Sequence, residues 1–254
     1  MSGPPGPVVV LAGSYSGAAR LRHVLAGSAP FACTSGTGLL PLCAQAAATW
    51  QRVDNRDGPP SALALSSIRA LATCMITAMM AGTGRSRWCE ISFSPPPAAA
   101  EIFLRLYPGT QFVCLHRNCP DVIRTAIEAN PWGLGSAGLG SFTAAYPGSS
   151  AAAIAAYWAE STESALDFQA AHPAACHQIR YEDLVDDQDL AADAMFAFLG
   201  VDASSPPEAG AEEAYAAVPG AALGGAGVPA SFLPRPLAER VNRLQQRLGY
   251  PPVT

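Results

Sequence analysis

The chain contains no lysine; all fifteen cationic side chains are arginine. Any chemistry that needs a lysine ammonium is therefore excluded. Charge of either sign is sparse, at 14% of residues, and the net value of -5 weighs against a general nucleic-acid binder, which needs a basic face. The seven cysteines are odd in number and form no C-x-x-C pair, so no disulfide framework is expected. The densest Cys/His stretch, Cys114-Leu115-His116-Arg117-Asn118-Cys119, matches no zinc spacing. Cys114 and His116 read instead as alternating positions of a buried strand, and no metal is expected. No apolar run reaches about 18 residues, so no membrane span is expected. The N-terminal "MSGPPGPVVV" has neither the basic region nor the apolar segment of an export signal. A cytoplasmic protein is the simplest expectation.

What is present describes a packed globular protein. Half of the 254 residues are hydrophobic, enough for a substantial core, and one domain over residues 1–254 is expected. Residues 1–7 read as flexible, and the Ala/Gly/Pro-rich residues 202–236 as an irregular segment covering the site. Val8–Leu11 reads as a buried strand, Gly13–Gly17 as a turn, and a helix follows from Ala18. Leu39–Trp50 and Ser61–Met80 read as helices, the second with Leu65, Ile68, Ala72, Met75, Ile76 and Met79 as a core stripe. Trp88–Ser92 and Gln111–His116 are strand candidates, with a helix over Ala98–Tyr107 between them. Pro120 suits the first turn of the next helix. Residues 130–150, "NPWGLGSAGLGSFTAAYPGSS", form a long Gly/Ser/aromatic loop of the kind used as a lid or binding loop. A helix from Ala151 to about Ala171, a strand Cys176–Tyr181, a helix from about Gln188 and a final amphipathic helix over Leu237–Leu248 complete the chain. Strands alternating with helices predict an α/β fold around a mainly parallel sheet.

Three stretches carry candidate chemistry. In "VVVLAGSYSGAARL" a strand runs into a small-residue turn and a helix, the setting in which main-chain N–H groups bind phosphate. The candidates are Ser14, Tyr15, Ser16, Gly17, Ala18 and Ala19, beside Gly13; a plain strand–helix turn would read the same. In "FVCLHRNCPDVIRT", Arg117 leaves the C-terminal end of a strand, where open α/β sheets bind ligands, and could fork onto a phosphate near Thr125. Alternatively Arg117 and Asp121 form a structural ion pair. In "IRYEDLVDDQDL", a strand meets an acidic turn, whose Asp183 and neighbours cap and solvate the following helix.

Together the three stretches resemble the family of sulfotransferases that use PAPS (3′-phosphoadenosine 5′-phosphosulfate), particularly its bacterial branch. "RYEDLVDD…FAFLGV" is close to the family's RYEDLV-to-FLG segment, and "LHRNCPDVIRT" is similar to its R-x-x-P-x-D-x-x-x-S stretch. Tyr157-Trp158 and "PLAERVNRLQQRLGYPP" resemble further family segments. The resemblance implies a P-loop-like α/β domain with PAPS, or its product PAP, as cofactor. It also implies Arg117 and Thr125 at the 3′-phosphate and Tyr181 near the adenosine. Three family cations are replaced: Tyr15 stands where the first loop has arginine, Ile91 where W-x-[DE]-K-[ST] has lysine, and Gly225 where a G-R-G turn has arginine. Losing three hydrogen bonds to a charged group costs on the order of 4–9 kcal/mol, and the low end weakens binding about a thousandfold. Glu90, the acid kept from that motif, is the candidate base for the acceptor hydroxyl; it could equally be a hydrogen-bonded carboxylate at a strand end. Trp132, Phe142 and Tyr146 of the long loop are candidates to cover the acceptor.

Three functions follow as expectations. The first is sulfuryl transfer from PAPS to the hydroxyl of a small, secondary-metabolite acceptor. The second is a degenerate subunit paired with an active sulfotransferase, and the third a PAPS-independent acid–base step at Glu90. The expected partners are a small molecule and either a second copy or an active relative, with neither nucleic acid nor membrane.

Overall fold

The computed structural model describes residues 6–28, 30–53, 58–95, 97–134, 139–201 and 232–253. Five parallel strands, β1 (Val8–Ala12), β2 (Phe31–Ser35), β3 (Arg87–Phe93), β4 (Gln111–His116) and β5 (Cys176–Arg180), form one sheet in the order β2-β3-β1-β4-β5. The apolar run of β1 lies at the centre because both its faces are covered, as parallel sheets require. One face, through Val8, Val10, Cys89, Ile91 and Val113, packs on helices α1 (Ala18–Gly27), α8 (Tyr181–Asp186) and α9 (Gln188–Leu199). The other, through Val9, Leu11, Trp88 and Phe112, packs on α2 (Leu39–Val53), α3 (Ala62–Met80) and α4 (Pro97–Leu106). A third cluster joins α5 (Cys119–Ala129), α6 (Gly140–Ala145), α7 (Ser150–Ala171) and α10 (Arg235–Arg247).

Helix starts follow side-chain chemistry. Ser61, Asn118, Ser149 and Asp187 accept hydrogen bonds from the first-turn amides of α3, α5, α7 and α9. Gly200, at φ 68°, supplies the left-handed residue that ends α9.

The structure departs from the sequence reading in four places. β2 was not foreseen, since only its first two residues are buried. A short helix, α6, forms inside the Gly/Ser loop. The last strand stops at Arg180, and Tyr181 opens α8 instead of closing the strand. Gly6 and Pro7 are fixed: their carbonyls accept from Arg87 Nε at 2.7 Å and Gln111 N at 3.0 Å. The α3 stripe packs as read, with Ile68 and Ala72 in the core and Leu65, Met75, Ile76 and Met79 against it. Ala64, Ile68 and Ala72 are buried against its neighbours, while Leu63 is 65% and Leu71 51% exposed. By length and mean hydropathy (1.6) alone, α3 is the one helix among the described residues long and apolar enough to cross a membrane. Of the segment 202–236, residues 202–231 lie outside the described residues and α10 begins at Arg235.

Candidate functional site

The first loop is held in a strained shape. Tyr15 (φ 66°) and Gly17 (φ 83°) both adopt left-handed backbone, and Ser16 N donates to Gly13 O at 3.3 Å. A Cβ on Gly17 would lie 2.1 Å from the Tyr181 ring, so only glycine fits. Gly17 also caps α1 with no side chain, and the first turn of α1 carries no acid. The amide of Ser14 donates to Tyr157 Oη at 2.6 Å, and that same oxygen lies 2.6 Å from Ser94 Oγ. Tyr15 Oη accepts from Asn130 Nδ2 at 2.9 Å.

Arg117, at the end of β4, is 2% exposed. Its guanidinium donates to Tyr15 O at 3.1 Å and to Thr125 Oγ1 at 3.2 Å, and lies 4.3 Å over the Tyr181 ring. Its own carbonyl accepts from Trp158 Nε1 at 2.9 Å. Arg117, Thr125 and Tyr181, separate in sequence, thus meet directly behind the loop. The alternative Arg117–Asp121 ion pair does not form, because Asp121 pairs with Arg124 at 2.7 Å.

The acidic turn also differs from expectation. Glu182 accepts from Asn118 N (3.1 Å), Asn118 Nδ2 (2.6 Å) and Tyr250 O–H (2.7 Å). Asp183 pairs with Arg180 at 2.9 Å, and Asp187 caps α9. The RYED residues therefore tie β4, β5 and the chain's C-terminal end together instead of solvating a helix start. Burial and the Glu182 carboxylate push the Tyr250 phenol up.

In front of the loop opens a cavity of about 550 Å³. Ser14, Ser16, Ser94, Tyr157 and Arg117 line its loop end, and Leu115, Phe142 and Phe168 give it an apolar wall. His116, also on the wall, is buried and lies 2.9 Å from the Gln169 side-chain amide; burial lowers its pKa to about 4, so its imidazole is neutral at pH 7. Helix α7 adds Glu160, Ser161, Thr162 and Ser164. The only sequence signal for these is a polar patch within an otherwise apolar helix. Tyr157 and Ser94 were not read as site residues at all.

Of the residues singled out in the sequence, Ser14, Ser16, Arg117 and Phe142 line the cavity. Tyr15, Gly17, Thr125 and Tyr181 form the layer behind the loop, and Ala18 and Ala19 open α1. Trp132 is 99% exposed, and Tyr146 packs on the α5–α7–α10 cluster; neither is among the cavity residues. Glu90 is 1% exposed and also away from the cavity. It accepts from the Thr34 hydroxyl and from Thr37 N (2.8 Å) and Oγ1 (2.9 Å), while Trp88 Nε1 donates to Thr34 Oγ1. That is the hydrogen-bonded carboxylate of the two sequence readings. Ile91 is buried in the core, and Gly225 lies outside the described residues. Among the described residues no group of three or more ligands could hold a metal.

A family model described as sulfotransferase family matches residues 7–205. The chain belongs to the sulfotransferase family. Three solved structures share the fold. The sulfotransferase domain from the curacin biosynthetic pathway is 18% identical, with 98% of this chain and 99% of that one covered at a TM-score of 0.61. The sulfotransferase domain of the Synechococcus PCC 7002 olefin synthase is 16% identical, covering 99% and 97% at 0.57. A sulfotransferase from Alicyclobacillus acidocaldarius is 14% identical, covering 98% of each chain at 0.56. No curated protein sequence matches the chain. The P-loop-like α/β architecture expected from the sequence is thus that of this sulfotransferase-like protein.

Proposed function

We propose that the protein transfers a sulfuryl group from PAPS to a hydroxyl of a small metabolite held in the 550 Å³ cavity. The observation that supports this most is continuity: one cavity runs from the loop amides and Arg117 to an apolar wall. Its volume is within the range of small-molecule sites.

The residues present suit an anionic cofactor. Gly17 leaves the start of α1 without a side-chain cap, and Arg117 with Thr125 provides charge and a hydroxyl beside it. Arg117 and Thr125 are assigned the 3′-phosphate, Tyr181 the adenosine, and the main chain of Ser16–Ala19 the 5′ end. When bound, PAPS supplies the activated sulfuryl group. Tyr157 and Ser94, sharing a hydrogen bond at the cavity's loop end, orient the acceptor hydroxyl there. Glu90 is a positioning residue: through Thr34 and Thr37 it fixes β2 and the start of α2. An acid–base step at Glu90 gains no support from this geometry.

Titration calorimetry with PAP tests the proposal. Binding is expected, and Arg117→Ala is expected to weaken it about ten- to a hundredfold, as loss of a hydrogen bond to a charged group does. Absence of binding heat with both PAP and PAPS would overturn it.

One observation favours a second reading, a subunit paired with an active sulfotransferase. The exposed Leu63 and Leu71 give α3 an apolar outer side that a partner chain would cover.

A further inference from the structure

Four of the seven cysteines lie on strands, where they form two thiol pairs. Each pair joins an edge strand to its inner neighbour, one on each face. Cys33 of β2 and Cys89 of β3 face the α1/α9 side. Cys176 of β5 and Cys114 of β4 face the α2/α4 side. In each pair the inner thiol is buried and the edge thiol is partly exposed. Small apolar packing accounts for buried cysteines in general, but it does not account for the difference between these two pairs.

Register separates them. Cys33 and Cys89 are direct partners across the β2–β3 ladder. Adjacent strands lie about 4.8 Å apart, inside the Cα separation of about 4.4–6.8 Å that a disulfide accepts. Cys176 instead faces Phe112, and Cys114 faces Gln178, so that pair is offset by two residues. Two residues of rise plus one strand spacing put those Cα atoms about 8 Å apart, beyond bridging without backbone movement. Charge separates them in the same direction. The Cys89 thiol donates to the Cys33 sulfur, and Arg22 and Arg85 face it; all three hold the Cys33 thiol below its usual range. The Cys114 thiol also holds Cys176 below its usual range, but burial and the Glu101 carboxylate oppose it where Cys33 has two arginines. Cys89, flanked by Glu90 and fully buried, keeps its proton.

We propose that Cys33 and Cys89 form a reversible, peroxide-driven disulfide that ties edge strand β2 to β3. The oxidant is a hydroperoxide such as hydrogen peroxide. The Cys33 thiolate attacks one peroxide oxygen, the O–O bond breaks, and Cys33 becomes a sulfenic acid as hydroxide leaves. The Cys89 sulfur then attacks the Cys33 sulfur, the S–O bond breaks, and the departing hydroxide takes the Cys89 proton as water. Two thiols and one peroxide give one disulfide and two waters; a thiol reductant reverses the change. The next residues along the two strands are Thr34 and Glu90, also register partners. The crosslink therefore fixes the strand pair whose opposite face carries the Thr34–Glu90 hydrogen bond.

The test is peptide mapping after graded hydrogen peroxide and alkylation of the remaining thiols, with the exposed Cys74 replaced by serine to remove its reactivity. The expected result is a Cys33–Cys89 crosslinked peptide, titratable thiols falling by two, and full recovery with dithiothreitol. Cys33→Ser should abolish the loss, and Cys176→Ser should leave it intact. Over-oxidation of Cys33 with Cys89 still free, bridging of Cys114–Cys176 first, or no loss of thiols would each overturn the proposal. The mapping is read on the chain with all its sheet cysteines, so a poorly folding Cys33→Ser would not blunt it.

Discussion

Two side chains show how much of the site depends on single atoms. Tyr157 Oη takes the Ser14 amide from 143 residues away and hydrogen-bonds with the Ser94 hydroxyl. Tyr157→Phe would leave that amide without its acceptor, at a cost of about 1–3 kcal/mol. The melting temperature should drop, and acceptor turnover should fall more than PAP affinity; equal losses of both would contradict the orienting role. His116 makes a second prediction, in pH. Its folded pKa of about 4 lies below the ordinary 6.5 because burial disfavours the cation. The unfolded chain therefore takes up the proton first as pH falls. The stabilisation is complete above about pH 6.5 and is lost on acidification towards pH 4, up to about 3 kcal/mol in all. Thermal melts over that range should show this limb, and His116→Gln should flatten it.

At the scale of elements, what the sequence disclosed follows from physical signal strength. β1 and β4 are runs of apolar residues buried on both faces, and such runs are hard to misread. The start of α5 is marked by Pro120 in its first turn. β2 was illegible because an edge strand with three of its five residues partly or fully exposed has no such run. For the same reason Thr34 could not be found as the partner of Glu90. The Glu182 hub was hidden because its partners, Asn118 and Tyr250, lie 64 and 68 residues away. The turn between β1 and α1 and the Arg117–Thr125 pair were recoverable since they lie within short, ordered motifs. The turn between β1 and α1 is where a single atom decides the outcome. Gly17→Ala adds a methyl group 2.1 Å from the Tyr181 ring on backbone that disfavours it. The left-handed conformation alone costs about 1 kcal/mol or more, and the clash adds to it. Calorimetric melting should show a loss above about 2 kcal/mol, with PAP binding lost in parallel.

For the molecule as a whole, the sheet is well enclosed by its helices while α3 is not. The periodicity of α3 correctly marked a buried stripe, but periodicity cannot say that a helix is outermost. Its other side presents Leu63, Leu71 and Cys74 outward. If a partner chain covers this surface, Leu63→Glu with Leu71→Glu should convert an oligomer to a monomer in light scattering, with little change in melting temperature. An unchanged mass would remove the support that α3 lends to the paired-subunit reading.

The chain also contains its own optical reporter. Of its four tryptophans, Trp88 and Trp158 are buried, Trp50 is half-buried, and Trp132 is in water over 99% of its surface. Iodide in solution would therefore quench the red-shifted part of the emission, from Trp132, and spare the buried pair. Trp158 meanwhile lines the cavity and holds the Arg117 carbonyl. In a Trp132→Phe protein the shielded emission becomes a label-free signal of what enters the cavity. In the parent, recovery of the quenched fraction reports anything that settles over residues 130–134.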